Sequence, residues 1–205
     1  MTDSPSSRSG ATAAGKRERL VASAVALVHE QGVQATTLAE IAEAAEVPAG
    51  NVYYYFKTKD ELLQAAVDAH ASHQHATLSR LENAPTPAAR LKAFIDMVAG
   101  EAGLVAHYGC PQGSLCSELD KRHDELSQNA ANLMRIPIDW IERQFTAMGR
   151  RDARELAVAL MASYQGISLL SNTFRDPDLM TREATRLQRW IDTLATEQEP
   201  PRKPR

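Results

Sequence analysis

Two Thr-x-x-Glu tetrads, Thr37-Leu-Ala-Glu40 and Thr58-Lys-Asp-Glu61, bracket a stretch of chain with room for only two short helices. In such a tetrad the threonine hydroxyl accepts a backbone N–H one turn on, and the glutamate reaches back to the threonine N–H. Each tetrad therefore marks a helix start. After the first start, Leu38, Ile41, Ala42 and Ala45 recur at the spacing of one helical face, a tight junction falls at Ala45–Val47, and a second short helix begins near Pro48. Helices this short are not stable alone, so they must pack on each other and on a third. Leu20, Ala24, Leu27 and Val28 supply that third helix over 16–30, and Gly32 ends it. The three together make a helix-turn-helix.

The rest of the chain keeps the helical period. Thr58 opens a longer helix to about Leu81, and Thr86-Pro87 caps one that should run to about His107. Gly109-Cys-Pro-Gln-Gly113 interrupts the pattern, Ser114 can cap a short helix, and a further segment spans about Asp124 to Gly149 with Pro137 inside it. Asp152 with Glu155 starts another helix, and Asp176-Pro177 starts the last, ending near Thr193. The fold class is all-α, with about nine helices and no credible strand, which argues against a parallel-sheet enzyme. The expected organisation is an arm without order over 1–14, a helix-turn-helix domain over 15–60, a connecting helix over 59–81, a larger helical domain over 61–195, and a tail without order over 196–205.

Composition enters as a constraint on partners. The chain carries 23 Lys+Arg against 26 Asp+Glu, so it is no histone-like polycation. Residues 1–60 hold six Lys/Arg and seven Asp/Glu, so a nucleic-acid role must rest on where the charges sit. Two cysteines are too few for a disulfide scaffold, no apolar run reaches membrane-spanning length, and the first residues lack a signal peptide's apolar segment. A cytoplasmic protein without membrane contact is expected. The sequence holds no phosphate-binding glycine loop, no HExxH and no nucleophile motif, so no enzyme is expected. No cofactor or metal is expected either, since the spacings of His107, Cys110, Cys116 and His123 match no zinc pattern. His70, His73 and His75 read as solvated.

The second short helix carries the chemistry of a major-groove reader. Its first turn holds Ala49, Gly50 and Asn51, small residues that allow close approach, and Asn51 can present a donor and an acceptor to a base edge. Tyr53, Tyr54 and Tyr55 point in successive directions, so at least one must face solvent and can bond phosphate. Lys57 and Lys59 flank the next cap, and Lys16, Arg17 and Arg19 stand on the first helix or its approach, placed to neutralise phosphates.

The segment from about Arg19 to Leu63 resembles the N-terminal domain of the tetracycline-repressor-like (TetR/AcrR) family of bacterial regulators. The markers are Thr36-Thr37, Ile41-Ala42, Ala45, Val47, Gly50, Val52-Tyr53-Tyr54-Tyr55-Phe56 and Lys59. The resemblance implies double-stranded operator DNA as partner. Thr36 and Thr37 would approach its backbone, residues 49–51 with Tyr53 and Tyr54 would read it, and Tyr55 and Lys59 would hold phosphates. Position 49 departs from the family, where a longer polar or basic residue is common. Alanine offers only an apolar contact, which shifts specificity onto Asn51 and Tyr54.

A regulator also needs a ligand that favours one of its states. Residues 87–170 contain the makings of a mostly apolar pocket with a few polar fixings: Phe94, Met97, His107, Cys110, Trp140, Phe145, Met161, Tyr164 and Gln165. The resemblance implies a small lipophilic or aromatic effector there. It also implies a homodimer closed by two helices from each chain, for which the stripes Leu156, Leu160, Ile167 and Leu187, Trp190, Ile191 are the candidates. Gly109–Leu115 resembles a Gly-Cys-Pro-x-Gly-Ser-Leu segment in one branch of the family. The expected function is a repressor released from a palindromic operator by its effector. Two other readings stay open: a thiol- or electrophile-sensing regulator acting through Cys110 beside His107, and a helical adaptor or ligand-binding protein without selective DNA binding.

Overall fold

A computed structural model describes residues 6–196, with side chains from residue 15 to 196. Among the described residues there are ten helices and no strand: α1 (Ser6–Ala35), α2 (Leu38–Ala44), α3 (Ala49–Tyr55), α4 (Lys59–Leu81), α5 (Pro87–Gly100), α6 (Ala102–Tyr108), α7 (Pro111–Asp120), α8 (Glu125–Ala147), α9 (Ala153–Phe174) and α10 (Pro177–Thr196). The chain divides into two compact units. One comprises the residues up to Ser72 with Ser114–Leu133, and the other comprises His73–Gly113 with the chain from Met134 onward.

Several local expectations change. Of the arm expected over 1–14, residues 1–5 lie outside the described residues, and 6–14 belong to α1. Extending a helix already nucleated over 16–30 costs far less than starting one, and Ala11, Ala13 and Ala14 favour it. Thr196 ends α10, and the tail from 197 lies outside the described residues. The single helix expected over 86–107 is two, because the backbone leaves the helical region at Glu101 (φ −95°, ψ 10°) between Gly100 and Gly103. Ser114 is not a cap. The proline at 111 occupies the first position of α7, which leaves Ser114 inside it. α8 runs on through Pro137.

In the first unit each expected cap has a physical counterpart. Glu40 N–H donates to Thr37 Oγ1 (3.2 Å), and Thr37 N–H donates to Glu40 Oε2 (2.8 Å), so α2 opens on a complete capping box. The second box is half-built: Glu61 N–H donates to Thr58 Oγ1 (3.1 Å), but the Glu61 carboxylate takes Lys57 N–H instead (2.7 Å). Between α2 and α3, Glu46 is left-handed (φ 52°), and Arg19 Nε donates to the Ala45 carbonyl (2.9 Å). Ile41, Val52 and Phe56 bury completely or nearly so against Leu20 and Leu62. Each such side chain contributes about 1.5–3 kcal/mol when fully buried. A second apolar cluster joins Val28, Val33, Leu63 and Val67 to Leu115 and Leu119 of α7 and to Leu126 and Leu133 of α8. That cluster explains why this unit reaches beyond residue 60.

The second unit has one large core built from α5, α6, α9, α10 and the adjoining parts of α4 and α8. Thr86 caps α5 as expected, accepting Ala89 N–H (3.1 Å) with Pro87 at the first turn. Trp140 and Phe145 are the largest fully buried side chains of this core. The indole N–H of Trp140 donates to Glu82 Oε1 (2.7 Å), and Arg90 pairs with the other Glu82 oxygen (3.0 Å), so that buried polar edge is satisfied.

Candidate nucleic-acid interface

α3 is held by one buried residue, Val52, with Tyr55 half-buried beside it, and presents its other residues outward. Ala49, Gly50 and Asn51 are exposed on its first turn. Tyr53 and Tyr54 are 58% and 75% exposed, whereas Tyr55 is half-buried on the core and meets the Tyr54 ring edge-on at 5.0 Å. The structure thus brings together Ala49, Gly50, Asn51, Tyr53 and Tyr54 on one outward face, and gives Tyr55 a packing role.

The expected phosphate ligands divide differently. Thr36 is fully buried and its hydroxyl donates to the Gly32 carbonyl (2.7 Å), so it does not face the outside. Thr37 is exposed, but its hydroxyl is engaged in the capping box. Lys59 Nζ donates to the Val33 carbonyl (2.5 Å) and is half-buried. Lys57 is exposed and its Nζ donates to the Tyr53 carbonyl (2.7 Å), leaving other protons facing solvent. Arg17 lies 5.1 Å over the Phe56 ring, and Lys16 is half-buried on α1. Meanwhile Glu40 and Glu43 stand exposed on α2. The capping bond from Thr37 holds the Glu40 carboxyl below its ordinary value. This outward face is therefore neutral and aromatic, with Lys57 and Arg17 near it, rather than a basic patch. No spacing rule marks which lysine turns inward. That depends on the carbonyl left unpaired after Gly32.

In the second unit, Phe94 meets Trp140 (6.1 Å between ring centres) and Tyr164 (6.3 Å). Cys110, which is buried, sits beside them: its Sγ is 3.5 Å from the Tyr164 hydroxyl, receives Gln165 Nε2–H at 3.5 Å and Gly113 N–H at 3.4 Å. Burial, with Cys110 alongside, pushes the Tyr164 phenol well above its ordinary range, so it stays protonated. Met161 and Phe145 are buried in the same core, Phe145 edge-on to Trp190, and Met97 is half-buried on it. His107 stands apart, exposed and edge-on to Tyr108 at 4.3 Å, and not against Cys110 as expected. Both cysteines are free thiols, and no group of His, Cys, Asp and Glu among the described residues could hold a metal. A polar group that sequence reasoning missed is Ser171, fully buried, whose hydroxyl finds no partner.

The stripe expected to meet a second copy faces inward. Leu160 and Ile191 are 0% exposed, Ile167 and Leu187 are buried, and Leu156 and Trp190 are half-buried on the same core. The outward face of α9 is instead the one with Val158, Leu169, Leu170 and Phe174, the last 65% exposed. α9 is apolar on two sides, and periodicity alone cannot say which side is internal.

A helix-turn-helix with its second helix facing outward is the arrangement of a DNA-binding transcriptional regulator. A family model described as "Bacterial regulatory proteins, tetR family" matches residues 20–66. The chain is 30% identical over 169 residues to the HTH-type transcriptional repressor DhaR of a Mycobacterium species, covering 75% of this chain and 80% of that one. It is 27% identical over 188 residues to the HTH-type transcriptional regulator TtgR of Pseudomonas putida, covering 86% of this chain and 88% of the relative. The crystal structure of a TetR transcriptional regulator from Chloroflexus aurantiacus superposes with a TM-score of 0.77 at 23% identity, covering 86% of this chain and 94% of that one. The chain belongs to the TetR family of bacterial transcriptional regulators. No helix among the described residues is long and apolar enough to cross a membrane.

Proposed function

We propose that this regulator acts as a homodimeric repressor, released from a palindromic operator when a small, mostly apolar effector enters the core of its second unit. The observation that carries the reading is the outward face of α3, where Asn51, Tyr53 and Tyr54 stand exposed on a helix anchored by Val52. The exposed Tyr53 and Tyr54 hydroxyls and the Asn51 amide are free to meet a duplex, which offers phosphates to the hydroxyls and base edges to Asn51. The exposed apolar face of α9 supports a second copy as the other partner, because Val158, Leu169, Leu170 and Phe174 lie on one side of a single helix. For the effector, support comes from Phe94 lying between Trp140 and Tyr164, with Cys110 and Gln165 beside Tyr164, an aromatic cluster with few polar fixings. DhaR, the mycobacterial relative, is itself a repressor by name. The test is titration of an operator, selected with the wild-type chain, by wild type, Tyr54→Ala and Leu169→Asp. Tyr54→Ala should stay dimeric and lose selective binding, and Leu169→Asp should sediment as a monomer and lose it too. Full binding by both variants would defeat the proposal.

One observation favours a second reading, in which Cys110 senses an electrophile. Gln165 Nε2–H and Gly113 N–H both donate to its sulfur, with the Tyr164 hydroxyl 3.5 Å away, so the thiol is held in place by polar neighbours. N-ethylmaleimide would then add its ring double bond across the thiol, the sulfur taking one carbon and the proton the other. Operator release by this reagent that Cys110→Ser abolishes would favour the reading, and release unchanged in Cys110→Ser would reject it.

A further inference from the structure

The connection between α1 and α2 is held by side chains at successive backbone groups. Gly32 leaves the helical region inside α1 (φ 85°, ψ 165°) and kinks it there, one turn before its end. The Gly32 carbonyl is taken by the Thr36 hydroxyl (2.7 Å), Val33 N–H donates to Glu118 Oε2 (2.7 Å), and the Val33 carbonyl receives Lys59 Nζ (2.5 Å). The Val33 clamp thus brings together a carboxylate 85 residues away and an ammonium 26 residues away. Val33 is itself 3% exposed, so its N–H has no ready access to water should the carboxylate go. Space is matched as well: a Cβ at residue 32 would lie 2.9 Å from Glu118 Oε1, so glycine is what lets the carboxylate approach.

What this clamp controls follows from its position in the chain. Four residues after Val33, Thr37 starts α2, and α2 packs through Ile41, Ala42 and Ala45 on Val52 of α3. We infer that Glu118 is a positioning residue for operator recognition: by fixing Val33 it fixes where α2 starts, and through α2 the angle at which α3 presents Asn51, Tyr53 and Tyr54. Glu118 does not touch DNA in this account, and Lys59 serves the clamp at the carbonyl of the same residue. Leu115 and Leu119 flank Glu118 and bury against Val28 and Leu63, so α7 stays docked whatever stands at 118. The inference rests on the operator reading above for its functional consequence, though not for the clamp itself.

The test uses the full chain with Glu118→Ala, which removes the acceptor, and Glu118→Gln, which keeps a carbonyl oxygen at the same reach. Affinity is measured for a duplex selected by wild type and for a scrambled duplex of equal length, alongside amide hydrogen exchange at Val33. Glu118→Ala should lose about tenfold on the selected duplex, the scale of one lost hydrogen bond to a charged group, with the scrambled duplex unchanged. Glu118→Gln should recover most of that loss and keep Val33 protected, whereas Glu118→Ala exposes it. The inference is overturned if Glu118→Ala binds the selected duplex as wild type does, if both duplexes weaken together, or if Glu118→Gln fails as badly as alanine. Should wild type select no duplex at all, the operator reading and the functional role inferred for Glu118 both fall. Equal Val33 protection in all three proteins would then remove the clamp as well.

Discussion

Replacing Gly32 by alanine tests how the reading head is joined to the rest of its unit. Two costs can be worked from the structure. An alanine at φ 85°, ψ 165° occupies a backbone region open almost only to glycine, costing about 1–3 kcal/mol. Its Cβ would also lie 2.9 Å from Glu118 Oε1, so the carboxylate must shift, which weakens its bond from Val33 N–H. A hydrogen bond to a charged group contributes about 1.5–3 kcal/mol, and the lower end applies because Glu118 is only partly buried. Urea unfolding followed by circular dichroism, at fixed protein concentration, should therefore show a loss near 3 kcal/mol, roughly the sum of the two lower halves, with an unchanged slope. The two costs separate in a double-mutant cycle. In a Glu118→Ala background the close contact is gone, so Gly32→Ala should cost only the backbone strain, and a coupling of about 1.5 kcal/mol should appear. A Gly32→Ala loss below about 1 kcal/mol, or strictly additive effects in the cycle, would refute the reasoning.

Phe145→Ala empties a fully buried site in the second unit, and denaturant unfolding should show a loss of about 3–5 kcal/mol; a loss under about 1 kcal/mol would mean the core refills freely. Glu46 is left-handed at the α2–α3 junction (φ 52°), so Glu46→Gly should be neutral or raise Tm by about 1–2 °C, and a clear drop in a thermal scan would count against the strain assigned there. Arg122 grips Asp60 (2.9 and 2.6 Å) and holds its carboxyl below the ordinary 3.8. The native state therefore binds fewer protons than the unfolded one in that range. The stabilisation is present in full above the unfolded value and fades as pH falls through the lower folded one. Because Asp60 is largely exposed the effect is small, and Asp60→Asn should flatten the acid limb of a stability–pH profile slightly; an unchanged limb would show the pair contributes nothing.

The reading head was legible because its signals are local. Thr37 and Glu40 form the expected box, Gly32 breaks the first helix, and Ile41, Val52 and Phe56 are core as their spacing implies. What the sequence left hidden depends on distant partners. Lys59 reads as a phosphate ligand until the Val33 carbonyl is found beside it, and Glu118 carries no local mark because its partner is 85 residues away. Arg19, another cation placed for phosphate, is spent on the Ala45 carbonyl. α9 was misjudged for a different reason. Both its faces are apolar, and the more regular stripe through Leu160 and Ile167 is the internal one, while Leu169, Leu170 and Phe174 look outward. The pocket candidates fared in between: Phe94, Trp140, Tyr164, Cys110 and Gln165 converge, and His107 does not.

Whether α3 reads a specific duplex is decided by repeated selection of random double-stranded DNA with the purified full chain, followed by sequencing of the enriched pool. A reading α3 yields a single motif of two inverted half-sites, lost when Tyr54→Ala is used in its place. An unenriched pool from a folded protein, or the same motif recovered by Tyr54→Ala, would contradict that role for α3.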